Sequence, residues 1–401
     1  MRIAAWLFAA APAFALAQTQ VVKPPIAQYW MSVDTAAGMS MPGLGALMPG
    51  AMGGAARGGR HLLLQLGSRE LASGEPRAEH DIPAGMDMGP SLPLLTPQGA
   101  PRAAPGEEQS QGMERPKRRM LIYWGCGEQV RKGQPVVVDF SKLAAGQVPP
   151  NLAARRISIA LPPAPGRSRT YGEWPNREDA KAVPADASLK GEHVVKGNYS
   201  PEIRFSLGEG QDFMQAVALS GTPLGSGAVD VRWKEVPYAT GYFAALYGAQ
   251  REDEVVMWTS SEEQEMGSAL MTFIAPAEVA RLVRDKVVLA PQTTECAVPA
   301  EVVKKAGAPF LSFIAYGPEA NFAQPPRPKD PKIPWEPKWT AKVRFKSTAS
   351  LLLSEGTRSR AAEQPPSSAS QPESKPAQGS APSVPNPVEE GVKALRGIFG
   401  R

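Results

Sequence analysis

Three histidines, two cysteines, a scatter of methionines and several acidic clusters are the residues of this 401-residue chain whose types could do chemistry. His61 opens an apolar run (HLLLQL), His80 falls in an irregular stretch, and His193 precedes a strand-like run. No two of them share the close spacing of a ligand pair. A zinc site or a nucleophile–base arrangement would therefore need convergence over long range. The expectation for each histidine is a surface or strand-end position. The chain carries no G-x-S-x-G elbow, no H-E-x-x-H, no phosphate-binding P-loop and no G-x-G-x-x-G.

Methionine offers a different chemistry. Met39, Met41, Met48, Met52, Met86 and Met88 include two M-x-M pairs, similar to the clusters of exported copper-handling proteins. Thioethers are soft donors that suit Cu(I), and His61 and His80 could join them. The competing expectation is a loop simply rich in Gly, Ala and Met. The acidic clusters Glu252-Asp253-Glu254 and Glu262-Glu263-Gln264-Glu265 read as solvated loops. Glycoside hydrolysis would need two carboxylates facing each other, and nothing in the sequence selects a pair. Tyr171, Trp174, Trp335 and Trp339 lie in turn-rich segments. They read either as a platform for carbohydrate or peptide or as plugs at the ends of a sandwich.

The compartment is read from the first seventeen residues. Met1-Arg2 is positive, Ile3–Phe14 is a short apolar run, and Ala15-Leu16-Ala17 fits a signal-peptidase site before Gln18. The run is far shorter than the ~20 residues that span a bilayer. The expected location is therefore periplasmic or secreted, with a bacterial type of signal. Cys126 and Cys296 can pair in only one way, and an oxidising compartment favours a disulfide between them. Lys and Arg number 44 against 39 Asp and Glu, a net charge of +5, which falls to +4 (43 − 39) when Arg2 leaves with the signal. The densest basic cluster, Arg115 with Lys117-Arg118-Arg119, is short and lacks stacking aromatics, so no nucleic-acid partner is expected.

Strand patterns must position whatever these residues do. With 42 prolines and 38 glycines, the chain reads as short strands between long loops. Strands are expected at 28–33, 61–66, 119–124, 136–140, 156–161, 202–207, 213–219, 229–233, 242–247, 254–259, 286–290, 309–316 and 339–353. Residues 275–284 have helical spacing behind a proline, and 302–305 suit a further helical turn. Long loops are expected from about 39 to 58 and from about 72 to 116, and residues 322–338 read as a proline-rich extended strap. Residues 169–179 read as a loop with exposed aromatics.

Within 229–258, Trp233, Val236, Pro237, Ala239, Gly241 and Tyr242 form a W-x-x-V-P-x-A-T-G-Y pattern. It resembles the B–C hairpin of fibronectin type III and related immunoglobulin-like sandwiches. The resemblance implies an inward Trp233 packed near Tyr242.

Residues 354–385 are rich in Ser, Pro, Ala and Gln and cannot bury enough apolar surface to fold alone. Residues 386–401 then read as an amphipathic helix: Asn386 as cap, Pro387 at the first turn, and Val388, Val392, Leu395 and Phe399 on one face.

The sequence thus predicts a mainly β protein of one or two sandwich-like domains, with a few short helices. Its parts would be a signal peptide (1–17), an irregular Met/Gly/Pro-rich region (18–118), β domains at 119–215 and 216–353, a linker (354–385) and a terminal helix (386–401). The expected function is an exported, non-enzymatic interaction or envelope-associated protein. Its terminal helix would dock on another envelope protein or a membrane surface. An envelope-polymer hydrolase or carbohydrate-binding protein, and a Met-loop copper protein, are the alternatives. No catalytic residue, cofactor or metal ligand is assigned, and Cys126–Cys296 is the one pair given a role. N-terminal sequencing of the exported protein should read from Gln18; a chain beginning at Met1 would remove the export signal.

Overall fold

A computed structural model describes residues 20–38, 58–97, 119–144, 147, 149, 157–251, 253–265, 268–307 and 309–353. The signal segment, the linker and the terminal helix lie outside the described residues. Sixteen strands are described: β1 (Ala27–Gly38), β2 (Gly59–Ser68), β3 (Ala78–Asp81), β4 (Ser91–Leu94), β5 (Arg119–Trp124), β6 (Val136–Asp139), β7 (Thr170–Trp174) and β8 (Gly191–Gly197) come first. Then follow β9 (Ser200–Leu207), β10 (Leu219–Pro223), β11 (Val229–Trp233), β12 (Gly241–Arg251), β13 (Glu254–Thr259), β14 (Glu295–Val298), β15 (Phe310–Gln324) and β16 (Trp339–Leu352). Three short helices, α1 (Phe140–Ala144), α2 (Pro276–Arg284) and α3 (Ala300–Ala306), complete the regular structure.

The strands form a nine-stranded sheet in the order β6-β5-β13-β12-β15-β16-β1-β2-β7, a three-stranded sheet β10-β11-β14 and a four-stranded sheet β4-β3-β8-β9. The large sheet is antiparallel except where β1 meets β16 and β13 meets β5. Alternation explains its inner face. Tyr29, Met31 and Val33 of β1 and Ala341, Val343 and Phe345 of β16 point one way, into a core shared with Ile203 and Phe205 of one small sheet and Val231 and Trp233 of the other. The result is a two-layer β-sandwich in which the second layer is split. The central strand β12 is apolar on both faces because α2 covers its back, packing Val279 and Leu282 against Phe243 and Ile314. Gly248 lets α3 approach β12, since a Cβ there would stand 2.6 Å from the Ala306 carbonyl oxygen.

Several expectations are corrected. The large sheet takes strands from 18–118, 119–215 and 216–353 alike, so a division at residues 215/216 does not follow the sheets. Residues 78–94, read as loop, hold β3 and β4, which pair with each other, β3 also pairing with β8. Residues 170–174 are β7, with Tyr171 and Trp174 buried, not an exposed loop. Residues 157–161 and 213–218 are irregular, and 286–290 makes only an isolated bridge, Tyr242 to Leu289. β11 and β12 are not a hydrogen-bonded hairpin. The VPYAT turn carries the chain from the three-stranded to the nine-stranded sheet. Trp233 and Tyr242 therefore face each other across the core, their ring centroids 5.6 Å apart.

Cys126 follows β5 of the large sheet and Cys296 lies on β14 of the three-stranded sheet; their sulfurs are 2.06 Å apart, a disulfide that staples the two layers. The Gly127 amide donates to the Ala297 carbonyl beside it at 2.9 Å. The proline-rich strap binds the chain near residue 20: Lys23 and Trp335 exchange backbone hydrogen bonds with the 335 and 21 carbonyls at 2.9 Å. Closing 170 residues with one bond constrains the unfolded state by up to ~5 kcal/mol. A Cys126→Ala/Cys296→Ala double variant should unfold at clearly lower denaturant, by a few kcal/mol on the same principle. An unchanged urea midpoint would show that the staple adds nothing.

Candidate functional site

Two of the three histidines converge in the core. β3 places His80, and β8 places His193, on the inner face of the four-stranded sheet, where both are fully buried. The β3·β8 pairing sets His80 opposite Val195, two residues beyond His193. The Tyr29 hydroxyl, arriving from β1 across the sandwich, lies 2.8 Å from His80 Nδ1. His80 Nε2 lies 3.0 Å from His193 Nδ1, and His193 Nε2 lies 2.7 Å from the Leu189 carbonyl oxygen.

A carbonyl can only accept, so His193 Nε2 carries a proton and donates. With the ring neutral, His193 Nδ1 accepts from His80 Nε2–H, and His80 Nδ1 accepts from the tyrosine hydroxyl. Every nitrogen is satisfied by two neutral rings in one direction of donation. Phe205 stacks on His193 with centroids 5.0 Å apart. Burial holds His80 well below the ordinary histidine range, and His193 nearby pushes the same way. Burial also lowers His193, against its hydrogen bond to Leu189. The surface reading of His80 and His193 is thereby overturned: their rings are polar parts of the core. The signal was present in β8, where His193 and Val195 alternate with charged Glu192 and Lys196, but not in the short AEHD of β3.

The remaining candidates are distributed differently. Met86, in a 3-10 turn, and Met88 pack in the main hydrophobic core, where their side chains fill apolar space. Met39, Met41, Met48 and Met52 lie outside the described residues. Trp174 and Trp339 are buried, Trp335 is half-buried, and no shared platform forms from the four aromatics. The acidic clusters are not merely solvated: Asp253 and Glu254 face Arg119 at 3.9 and 3.4 Å, and Gln264 and Glu265 are buried. Among the described residues no group of three His, Cys, Asp or Glu is placed to hold a metal ion. An open cleft of about 900 Å³ lies beside β3 and β8. Its Glu75 and Glu178 lie against Arg77 and Arg177 at 3.5 and 3.6 Å.

A further cluster of charge, on β16, carries no motif that sequence reasoning selects. On β16, Lys342, Arg344 and Lys346 alternate with Val343 and Phe345, so all three cations share the outer face of the large sheet. The parallel register sets Trp30 beside Lys342, Ser32 beside Arg344 and Asp34 beside Lys346. Asp34 and Lys346 form an ion pair at 3.4 Å, and Thr348 donates to Asp34 at 3.1 Å. The opposite neighbour, β15, carries one extra residue between Tyr316 and Glu319, a bulge at Gly317-Pro318. The bulge reverses the alternation and turns Glu319 onto the cationic face, where it takes Lys342 at 2.6 Å.

Arg344 has no such carboxylate among the described residues. Its Nε donates to Ser32 Oγ at 2.8 Å, and its guanidinium lies over the rings of Trp30, 4.9 Å away, and Phe273, 4.4 Å away. Burial pushes its pKa down to about 10, with Glu319 pulling the other way. The K-x-R-x-K spacing at 342–346 was the available signal.

The histidine pair makes stability depend on pH with a definite sign. Unfolded, both rings take protons as pH falls through about 6.5; folded, burial keeps them neutral. The unfolded state is the one that gains protons, so stability present above about pH 6.5 is lost below it. The urea midpoint should fall between about pH 7.5 and 5.5. His80→Phe should flatten part of that slope. At neutral pH it should cost ~2–5 kcal/mol, because Tyr29 and His193 each lose a partner. A pH-independent wild-type midpoint would contradict the buried neutral pair.

Compared as a whole, the chain matches no known protein family and no curated protein.

Proposed function

We propose that this is an exported, non-enzymatic interaction protein of the cell envelope. A disulfide-stapled β-sandwich forms its body, and residues 386–401 form a docking helix on a tether. The observation that carries the reading is the Cys126–Cys296 bond between the two layers, because persistent disulfides belong to oxidising compartments. The amphipathic pattern of 386–401 supports the docking role. A tether of about thirty residues raises the helix's local concentration at a partner without fixing the body's orientation. The partner is another envelope protein or a membrane surface. Among the described residues no helix is long and apolar enough to cross a membrane.

A chain lacking residues 386–401 should still fold and be exported, yet leave the envelope fraction for the soluble one and lose its captured partner. Unchanged fractionation and unchanged pull-down would end the docking role.

A further inference from the structure

Among the polar groups buried on the outer face of the large sheet, Arg344 is incompletely matched. The side chain is 8% exposed. Only its Nε has a hydrogen-bond partner, and its two Nη groups meet none among the described residues. They are not sealed, however, since neither is among the buried atoms that lack partners. The fork is therefore held at Nε, stripped of most of its water, with its Nη groups keeping slight contact with solvent. Its flanking cations are already used: Lys342 is on Glu319 and Lys346 is on Asp34. Burying a charge is costly unless it is paired, and two aromatic rings replace only part of the lost hydration.

We propose that the Nη edge of Arg344 is a binding site for a single carboxylate. Charge decides between anions. Lys342, Arg344 and Lys346 give +3 and Asp34 and Glu319 give −2, leaving +1 for the cluster. A monoanion balances it, whereas a phosphate dianion would overshoot beside two carboxylates. Geometry agrees, because the guanidinium fork matches the two oxygens of a carboxylate. Trp30 and Phe273 would flank the ligand, and Ser32 sets the fork's orientation through Nε. The site lies on β16 and β1 and does not depend on the docking helix, so either can fail without the other.

The test uses the full chain and NMR of the Arg344 Nε–H, with acetate, inorganic phosphate and chloride at equal ionic strength. Acetate should shift the signal saturably and raise the melting temperature, while phosphate and chloride should not. Arg344→Lys keeps the charge but loses the fork and should weaken acetate binding at least about tenfold, the equivalent of one charge-assisted hydrogen bond. Should that variant fold poorly, Ser32→Ala, which frees the fork, should weaken acetate binding in the same direction. Two further probes separate the sources of the carboxylate: N-acetyl-Ala-Ala and its amide. Acid binding far tighter than acetate, with no binding by the amide, identifies a polypeptide carboxylate. Equal binding of the acid and acetate identifies a small organic acid. Absence of a saturable acetate shift, equal binding of phosphate, or full acetate binding by Arg344→Lys would overturn the proposal.

Discussion

The structure depends on one parallel pairing. β1 and β16 run side by side over twelve positions, from Ala27 with Trp339 to Gly38 with Ser350. Contacts across this seam join residues 312 apart in sequence, as Arg344 and Ser32 do. β16 is also the partner of β15, so its insertion joins the half-sheet β6-β5-β13-β12-β15 to the half-sheet β1-β2-β7. Without it the inner face would be two narrow ribbons. The closing entropy of such a loop grows only slowly with length, but no local contact offsets it in advance. The apolar rows Tyr29-Met31-Val33 and Ala341-Val343-Phe345 must be brought together from opposite ends of the described chain, the kind of non-local pairing that slows folding in general.

The second layer is anchored by other means. Its two small sheets share no strand ladder with each other or with the large sheet. They are held by side chains, by one covalent bond and by a few backbone hydrogen bonds: Leu95, just past β4, exchanges two with Glu173 of β7 at 2.9 and 3.1 Å, and Gly127 donates to Ala297 at 2.9 Å. The three-stranded sheet has the disulfide and the Trp233–Tyr242–Phe313 ring cluster. The four-stranded sheet has the Tyr29–His80–His193 chain and the Phe205–Phe322 stack. Each small sheet is thus tied by a specific contact added to general apolar burial. Directional contacts fix where a sheet sits, which hydrophobic area alone does not.

The sequence carries the fold class well and the architecture poorly, for physical reasons. Long alternating or continuous apolar runs such as QYWMSV, HLLLQL and PFLSFIAY become strands because their burial is strong and local. The helix at 276–284 is announced by its proline and its apolar spacing. Short strands such as AEHD and SLPL carry too few residues to show a period, so β3 and β4 are invisible until β8 supplies a partner. In the other direction, RISIAL and KVVLA look like strands, but the described part of the first joins no ladder and the second pairs only at Leu289, with Tyr242. Composition reports local order, whereas the large sheet draws its strands from Ala27 to Leu352, so composition shifts do not reveal its extent. Among the site residues, the cysteine pair follows from there being two cysteines and from the compartment that the first seventeen residues lead one to expect. The histidine pair does not, because 113 residues separate its members and only the sheet brings them together. The alternation Lys342-Arg344-Lys346 is legible, but its meaning is not: without β1 and the β15 bulge, nothing shows that two cations are paired and one is not.

β1 presents both ways in which this protein buries polar groups. Toward the core it offers Tyr29 to a chain of neutral rings that ends on a backbone carbonyl, and every donor there is used. That arrangement is complete, so it stabilises and positions but has nothing left to offer a ligand. Away from the core the same strand offers Trp30, Ser32 and Asp34 to three cations, and one of them stays half-satisfied. Leaving a guanidinium short of hydrogen bonds costs stability, and a simple remedy was near: a second carboxylate on β1 or β15. The bulge that turns Glu319 shows that the sheet can be bent to supply one. An incomplete arrangement on a rigid, otherwise well-matched face is where binding energy remains to be gained from outside the chain. On the proposed carboxylate site, recognition falls on the outer surface of β1 and β16, where it leaves the core undisturbed, and not on the completed histidine pair.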